Sequence, residues 1–213
     1  GFDWLHFAEF MLSSVMIAIS LRAADIYPTA LSSLRHAAFQ TASLMTTSGF
    51  ATADTNTWTP LAIMLLILCS VVCGCAGSTS GGMKVDRVLI ASKIIRNRMK
   101  VQLHPNAVIR TKVDGMVQDE GVQSLVMTFI VAYIMTVLLG TIIYTIFGLD
   151  VVTSLTASIA CLSNVGPGFG DVGSMDNFAA LPAVLKFNST LLMLIGRLEI
   201  FGFIQLLFIR SWR

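Results

Sequence analysis

The chain has 213 residues, 55% hydrophobic and only 12% charged, with a mean hydropathy of +0.78 and a formal net charge of +2. A soluble domain carries about 25% charged residues, so the composition excludes a soluble surface and points to an integral membrane protein. Eight of the 14 Lys and Arg residues lie between Lys84 and Lys112, which places that segment on the cytoplasmic side. No aromatics interleave this basic run, so it implies no nucleic-acid partner. The four cysteines (Cys69, Cys73, Cys75, Cys161) sit in apolar or glycine-rich surroundings and read as small packed thiols. Gly1 is followed by Asp3, His6 and Glu9 with no basic leader, so a cleavable signal peptide is not expected.

In chain order, the first apolar segment covers residues 4–21 and would span about 27 Å as a helix, roughly a hydrocarbon core. Glu9 lies about a turn inside it and should snorkel or face protein; a proton site is the sharper alternative. Residues 25–34, with Pro28, read as a loop. Residues 35–45 form a helix too short to span, re-entering from the outer side. Its C-terminal end, negative in the helix dipole, would then point to mid-membrane and favour a cation. His36 in it reads as a surface or capping residue.

Thr46, Thr47, Ser48, Gly49 and Phe50 follow. Gly49 permits backbone angles closed to other residues. Extended backbone in a membrane is tolerated only within protein or along a water-filled path. An ordinary turn would explain one such run. A second, Ser163-Asn164-Val165-Gly166-Pro167, lies 117 positions on (47 to 164) and favours two linings of one pore, with carbonyls replacing the water around a dehydrated K+ or Na+. Asp54, Asn56 and Thr57 would form an outer vestibule.

Residues 58–74 return inward as an apolar helix. Nine small residues then interrupt it: Gly74, Cys75, Ala76, Gly77, Ser78, Thr79, Ser80, Gly81 and Gly82. They should be unwound and buried in protein below the first strip. A phosphate loop is excluded because Met83, not Lys followed by Ser or Thr, comes after Gly82. The helix resumes at Met83 and carries the basic run to residue 103. His104-Pro105-Asn106 ends it, and a polar cytoplasmic linker leads to residue 121.

The same plan repeats. Residues 122–147 are a long apolar helix, Asp150 caps a short helix over 151–162, and the second strip covers 163–170. Residues 171–177 form an outer loop, and residues 181–209 read as a last long helix. Arg197 lies inside it, with Glu199 nearby. An intramembrane Arg costs at least ~2.5 kcal/mol, so it should face water or a partner. It either pairs with an acid on a neighbouring helix or faces the pore as a barrier to cations. Residues 197 and 199 point in different directions on a helix and are not natural partners.

Together the two strips, the 74–82 segment with Lys84 and Arg87 after it, His104-Pro105-Asn106-Ala107 and Gly196-Arg197-Leu198-Glu199-Ile200-Phe201 resemble the Trk/Ktr/HKT superfamily of potassium transporters, closest to its bacterial Trk uptake subunits. The resemblance covers nearly the whole chain. It implies an all-α integral membrane fold of M1–pore helix–M2 repeats around a potassium-channel-like pore, here the third and fourth of four. The repeats would be residues 1–103 and 122–213, joined by the linker 104–121. It further implies a selectivity filter holding K+ at Thr46, Thr47, Ser48, Gly49, Ser163, Asn164, Val165 and Gly166. A gate loop would comprise Gly77, Ser78, Thr79, Ser80, Gly81 and Gly82, and Arg197 would face the pore. Neither strip is a full Thr-Val-Gly-Tyr-Gly; only the glycines 49 and 166 are retained.

The expected function is potassium uptake, channel-like or as a symport, across the bacterial inner membrane by a multi-pass protein with cytoplasmic linker and C-terminus. K+ is the transported ion, with no covalent cofactor and no catalytic residue. By resemblance the subunit is a lipid-embedded homodimer that docks on a cytosolic nucleotide-binding ring of NAD or ATP type. The alternative is a proton-coupled small-solute carrier with broken helices, which would be expected to show a buried midplane acid; Glu199 is the one candidate.

Overall fold

The computed structural model describes residues 2–74, 78, 81–103, 112–113, 116–117, 119–200 and 202. Its helices in chain order are α1 (Phe2–Ala23), α2 (Ala30–Met45), α3 (Pro60–Val71), α4 (Val85–Leu103), α5 (Glu120–Ile146), α6 (Val151–Leu162) and α7 (Ala183–Arg197). The strands among the described residues form one hairpin in the linker, β1 (Lys112–Val113) against β2 (Met116–Val117). The architecture is all-α and membrane-embedded, two repeats of long helix, short helix and return helix.

Local chemistry sets the ends. α1 (22 residues) and α5 (27 residues) are long and apolar enough to cross a bilayer. α2 and α6, at 16 and 12 residues, fall short of the ~20 needed. α2 begins five residues earlier than the sequence suggests. The Thr29 hydroxyl accepts from the Ser32 amide at 3.2 Å, and this N-cap starts the helix right after Pro28. α3 opens on Pro60 with Thr59 as cap, two residues inside the expected start. Asp150 caps α6 as expected, accepting from the Val152 amide at 3.0 Å.

The last segment departs most from expectation. It is not one helix over 181–209: α7 stops at Arg197, and Glu199 (φ 53°) and Ile200 (φ 57°) are left-handed. Such angles cost roughly 1–2 kcal/mol per residue for L side chains. Burial offsets this, since Ile200 is 4% exposed among Phe129, Tyr133 and Leu162. Residues 203–209 lie outside the described residues.

The cores sit where short helices meet long ones. α1, α2 and α3 bury Ile17, Leu21, Ala37, Leu44, Trp58 and Leu66, and Val165 and Phe169 of the second repeat complete that cluster. A separate cluster joins Tyr144, Ala157, Leu185 and Leu192 of α5, α6 and α7. α7 approaches α6 so closely that a Cβ on Gly196 would lie 1.9 Å from the Leu162 carbonyl oxygen. Gly196→Ala should therefore push α7 off α6 and cost about 1–3 kcal/mol, the usual range for overpacking. Gly202→Ala, whose methyl would meet Leu198 Cβ at 3.6 Å, should be tolerated. Thermal melting of the detergent-solubilised full-length protein checks both.

Candidate functional site

Each strip grows from the end of a short helix, and the two ends are built alike. After α2, the amides of Thr46, Thr47 and Ser48 donate to the carbonyls of Ala42, Leu44 and Ser43 at 2.9, 3.1 and 3.0 Å. After α6, those of Ser163, Asn164 and Val165 donate to Ile159, Cys161 and Ala160 at 2.8, 3.2 and 3.0 Å. Every donor and acceptor is displaced by the same 117 positions. Each is a helix end closed by one left-handed residue, here Thr47 and Asn164, both at φ 55°. Gly usually takes this place, Asn tolerates it, and a β-branched Thr there is an outlier. Gly49 (φ 73°) and Gly166 (φ 107°) are also left-handed, as the sequence suggested.

The closure consumes the last carbonyls of α2. The Thr46 hydroxyl also donates to Ala42 O at 2.8 Å, and the Gly74 amide donates to Met45 O at 3.0 Å. The helix end thus keeps its dipole while its oxygens are occupied, and the strips are pinned at Phe50 O by Ser43 Oγ (2.6 Å) and at Phe169 O by Thr156 Oγ1 (3.2 Å). The strips touch: a Cβ on Gly49 would lie 2.4 Å from the Val165 carbonyl oxygen. At Gly166 a Cβ would meet nothing within 4 Å. Among the described residues no cluster of three His, Cys, Asp or Glu side chains could hold a metal ion, so a cation here would meet neutral oxygens.

In the loops that follow the strips the repeats are clasped. Asn56 Nδ2 donates to Gly170 O at 3.0 Å, and the Gly170 amide donates to Asn56 Oδ1 at 3.0 Å. Ser174 Oγ accepts from the Thr55 amide and donates to Ala53 O, each at 3.0 Å. Of the expected vestibule residues, Asn56 is this cross-link, and Asp54 caps its own turn at the Asn56 amide. His36 stacks on Tyr27 with ring centroids 4.7 Å apart.

The helix is interrupted, with wider bounds than the expected 74–82: α3 ends at Val71 and α4 begins at Val85. The neck is closed by Met83 N to Val71 O (3.0 Å) and Val85 N to Gly74 O (3.2 Å). Gly77, Thr79 and Ser80 lie outside the described residues; Ser78 is half-buried, and Gly81 and Gly82 are buried. Gly81 passes directly under the second strip, where a Cβ would lie 2.2 Å from Ser163 O. Arg197 is exposed at the end of α7. It follows Gly196, where a Cβ would lie 2.9 Å from Asn164 Nδ2; that amide donates to Met193 O at 3.2 Å.

Two of the cations assigned to the basic run belong elsewhere. Lys84, left-handed and 8% exposed, donates to Glu199 Oε1 at 2.8 Å. Arg87 donates to Glu199 Oε2 at 2.6 Å and stacks 4.0 Å from the Phe129 ring centroid. The acid beside Arg197 thus ties the end of the glycine-rich segment to the break after α7. The sequence carried one signal for this, a lone acid in the terminal apolar stretch, but helical geometry assigned it no partner because the helix does not continue to residue 199.

A family model named TrkH, described as a cation transport protein, matches residues 4–211. The Trk system potassium uptake protein TrkH of Salmonella typhimurium is 38% identical over 190 residues, 89% of this chain and 39% of the relative. TrkG of Escherichia coli K12, also named a Trk system potassium uptake protein, is 33% identical over 84% of this chain and 36% of its own length. The crystal structure of the potassium transporter TrkH from Vibrio parahaemolyticus superposes with a TM-score of 0.85 at 32% identity, covering 98% of this chain and 45% of that one. The chain spans about two fifths of the length of the curated relatives it matches.

Breaking the Glu199 cluster has a definite cost. Removing one partner of a fully buried ion pair costs ~3–5 kcal/mol. The Glu199 side chain is 48% exposed, so solvent screening reduces the expected loss for Glu199→Gln to about 1–2 kcal/mol. Adding Lys84→Met, which removes the stranded buried charge, should restore part of it. Melting temperatures of the single and double variants measure this.

Proposed function

The chain belongs to the TrkH family of cation transport proteins, and we propose that it supplies two of the four repeats of a K+ uptake pore. The reading rests on one observation above all. Two helix ends related by 117 positions each turn an extended strip with a left-handed Gly, and the strips meet at Gly49 and Val165. The relatives are potassium uptake proteins and a potassium transporter by name. The filter residues are Thr46, Thr47, Ser48, Gly49, Ser163, Asn164, Val165 and Gly166. Their neutral oxygens replace the hydration shell of K+, at the negative ends of α2 and α6.

The segment containing residues 77–82 acts as a gate below the filter, and Arg197 as a fixed positive barrier beyond it. In this reading residues 1–103 and 122–213 are the two repeats, and the linker and C-terminus face the cytoplasm. The subunit sits in the inner membrane as a homodimer on a cytosolic nucleotide-binding ring. The carrier alternative has lost its best support, because the acid it required, Glu199, is engaged by Lys84 and Arg87.

Rubidium-86 uptake into a K+-requiring host tests the assignment with the full-length subunit. Gly49→Ser should lose preference for K+ over Na+, since the new side chain meets both a forbidden φ and the Val165 carbonyl. Arg197→Ala should raise flux at equal membrane abundance. Parental behaviour of both variants would return the carrier reading to the front.

A further inference from the structure

Behind the second strip lies a buried polar pair. Tyr133, on α5, is 3% exposed and packed with Phe129, Val137, Ile159, Leu162 and Ile200. Its hydroxyl lies 2.7 Å from Ser163 Oγ, and Ser163 is 0% exposed. We propose that the Tyr133 hydroxyl is a positioning group that sets ion discrimination at the second strip. The proposal rests on the pore reading and adds a residue from outside both strips.

Ser163 is where α6 hands over to extended chain. Its amide closes the helix on Ile159, its carbonyl oxygen abuts Gly81, and the residues after it carry the left-handed Asn164 and the Val165 carbonyl that meets Gly49. Tyr133 holds the Ser163 side chain from a long helix, and Cys73 faces the same side chain. The first strip is held differently. The Thr46 hydroxyl bonds back to its own helix at Ala42 O, and Thr46 is exposed. K+ and Na+ are told apart by the size and field of an oxygen cage, so a rigid strut behind one wall of that cage acts on selectivity. Both atoms of the pair are buried, so removing the Tyr133 hydroxyl costs Ser163 its hydrogen bond to α5.

The test uses the full-length subunit in the K+-requiring host. Rubidium-86 uptake is measured against rising K+ and rising Na+, and the ratio of half-competing concentrations is the readout. Tyr133→Phe keeps the ring and its packing. It should lower the discrimination ratio roughly fivefold, the effect of one buried hydrogen bond. Ser163→Ala should lower it at least as far, and adding Tyr133→Phe to Ser163→Ala should change nothing more, because the hydroxyl then has no strip side chain to hold. An unchanged ratio in Tyr133→Phe, whether maximal uptake is kept or reduced, makes the pair a packing contact and overturns the proposal. Should Tyr133→Phe fail to reach the membrane, Tyr133→Met, which also removes the hydroxyl without touching the strip, decides by the same criterion. Gly49→Ser separates the two levels. If it too keeps the parental ratio, the pore reading has failed; if it lowers the ratio while Tyr133→Phe does not, only the role of Tyr133 falls.

Discussion

Backbone that leaves the helix inside a bilayer must find its hydrogen-bond partners within the protein, because hydrocarbon offers none. The structure is arranged around this requirement. The chain leaves α2 and α6 through left-handed residues that fold three amides back onto the last helical carbonyls. Gly74 takes the Met45 carbonyl, Asn56 takes both polar groups of Gly170, and Thr156 accepts from the Phe169 amide. With those groups satisfied, the strips can run extended and press against each other. The long helices, the clasp and the glycine-rich segment make this backbone possible at membrane depth.

Much of this was legible in the sequence, and for a physical reason. Glycine at 49 and 166, equal spacing of the two strips and a run of nine small residues are demands of backbone geometry, which leaves few residue types to choose from. Asp150 as a cap and the bounds of α6 follow from local chemistry in the same way. What was not legible depends on contacts distant in sequence. Glu199 meets Lys84 and Arg87 across more than a hundred residues, and Tyr133 meets Ser163 across thirty. The break after Arg197 was hidden because the apolar pattern continues through it; the cost of two left-handed residues is met by packing that no local window contains. The start of α2 was misplaced because a polar stretch after Pro28 reads as loop until Thr29 is seen to cap.

The two repeats share a plan but not their supports. The first strip is held by its own helix and by the glycine-rich segment at Gly74; the second is held by Tyr133 from behind and by Gly81 from below. Arg197 and Glu199 have no counterparts in α3, which ends at Val71 before the interruption. The 117-position relation therefore describes the strips and the helix ends that launch them, while the surrounding helices have diverged in length and role.

Val165 and Phe169 sit in the cluster built by α1, α2 and α3, and this bears on how the protein is made. A ribosome delivers the first repeat to the membrane well before it reaches these two residues. Until they arrive, Trp58, Leu66 and Cys73 lack part of their cover, and Gly49 lacks the Val165 carbonyl it packs against. The first repeat is thus unfinished during synthesis until a segment of the same chain, on the far side of the linker, joins its core. The two repeats can close on each other only once the second strip has been made.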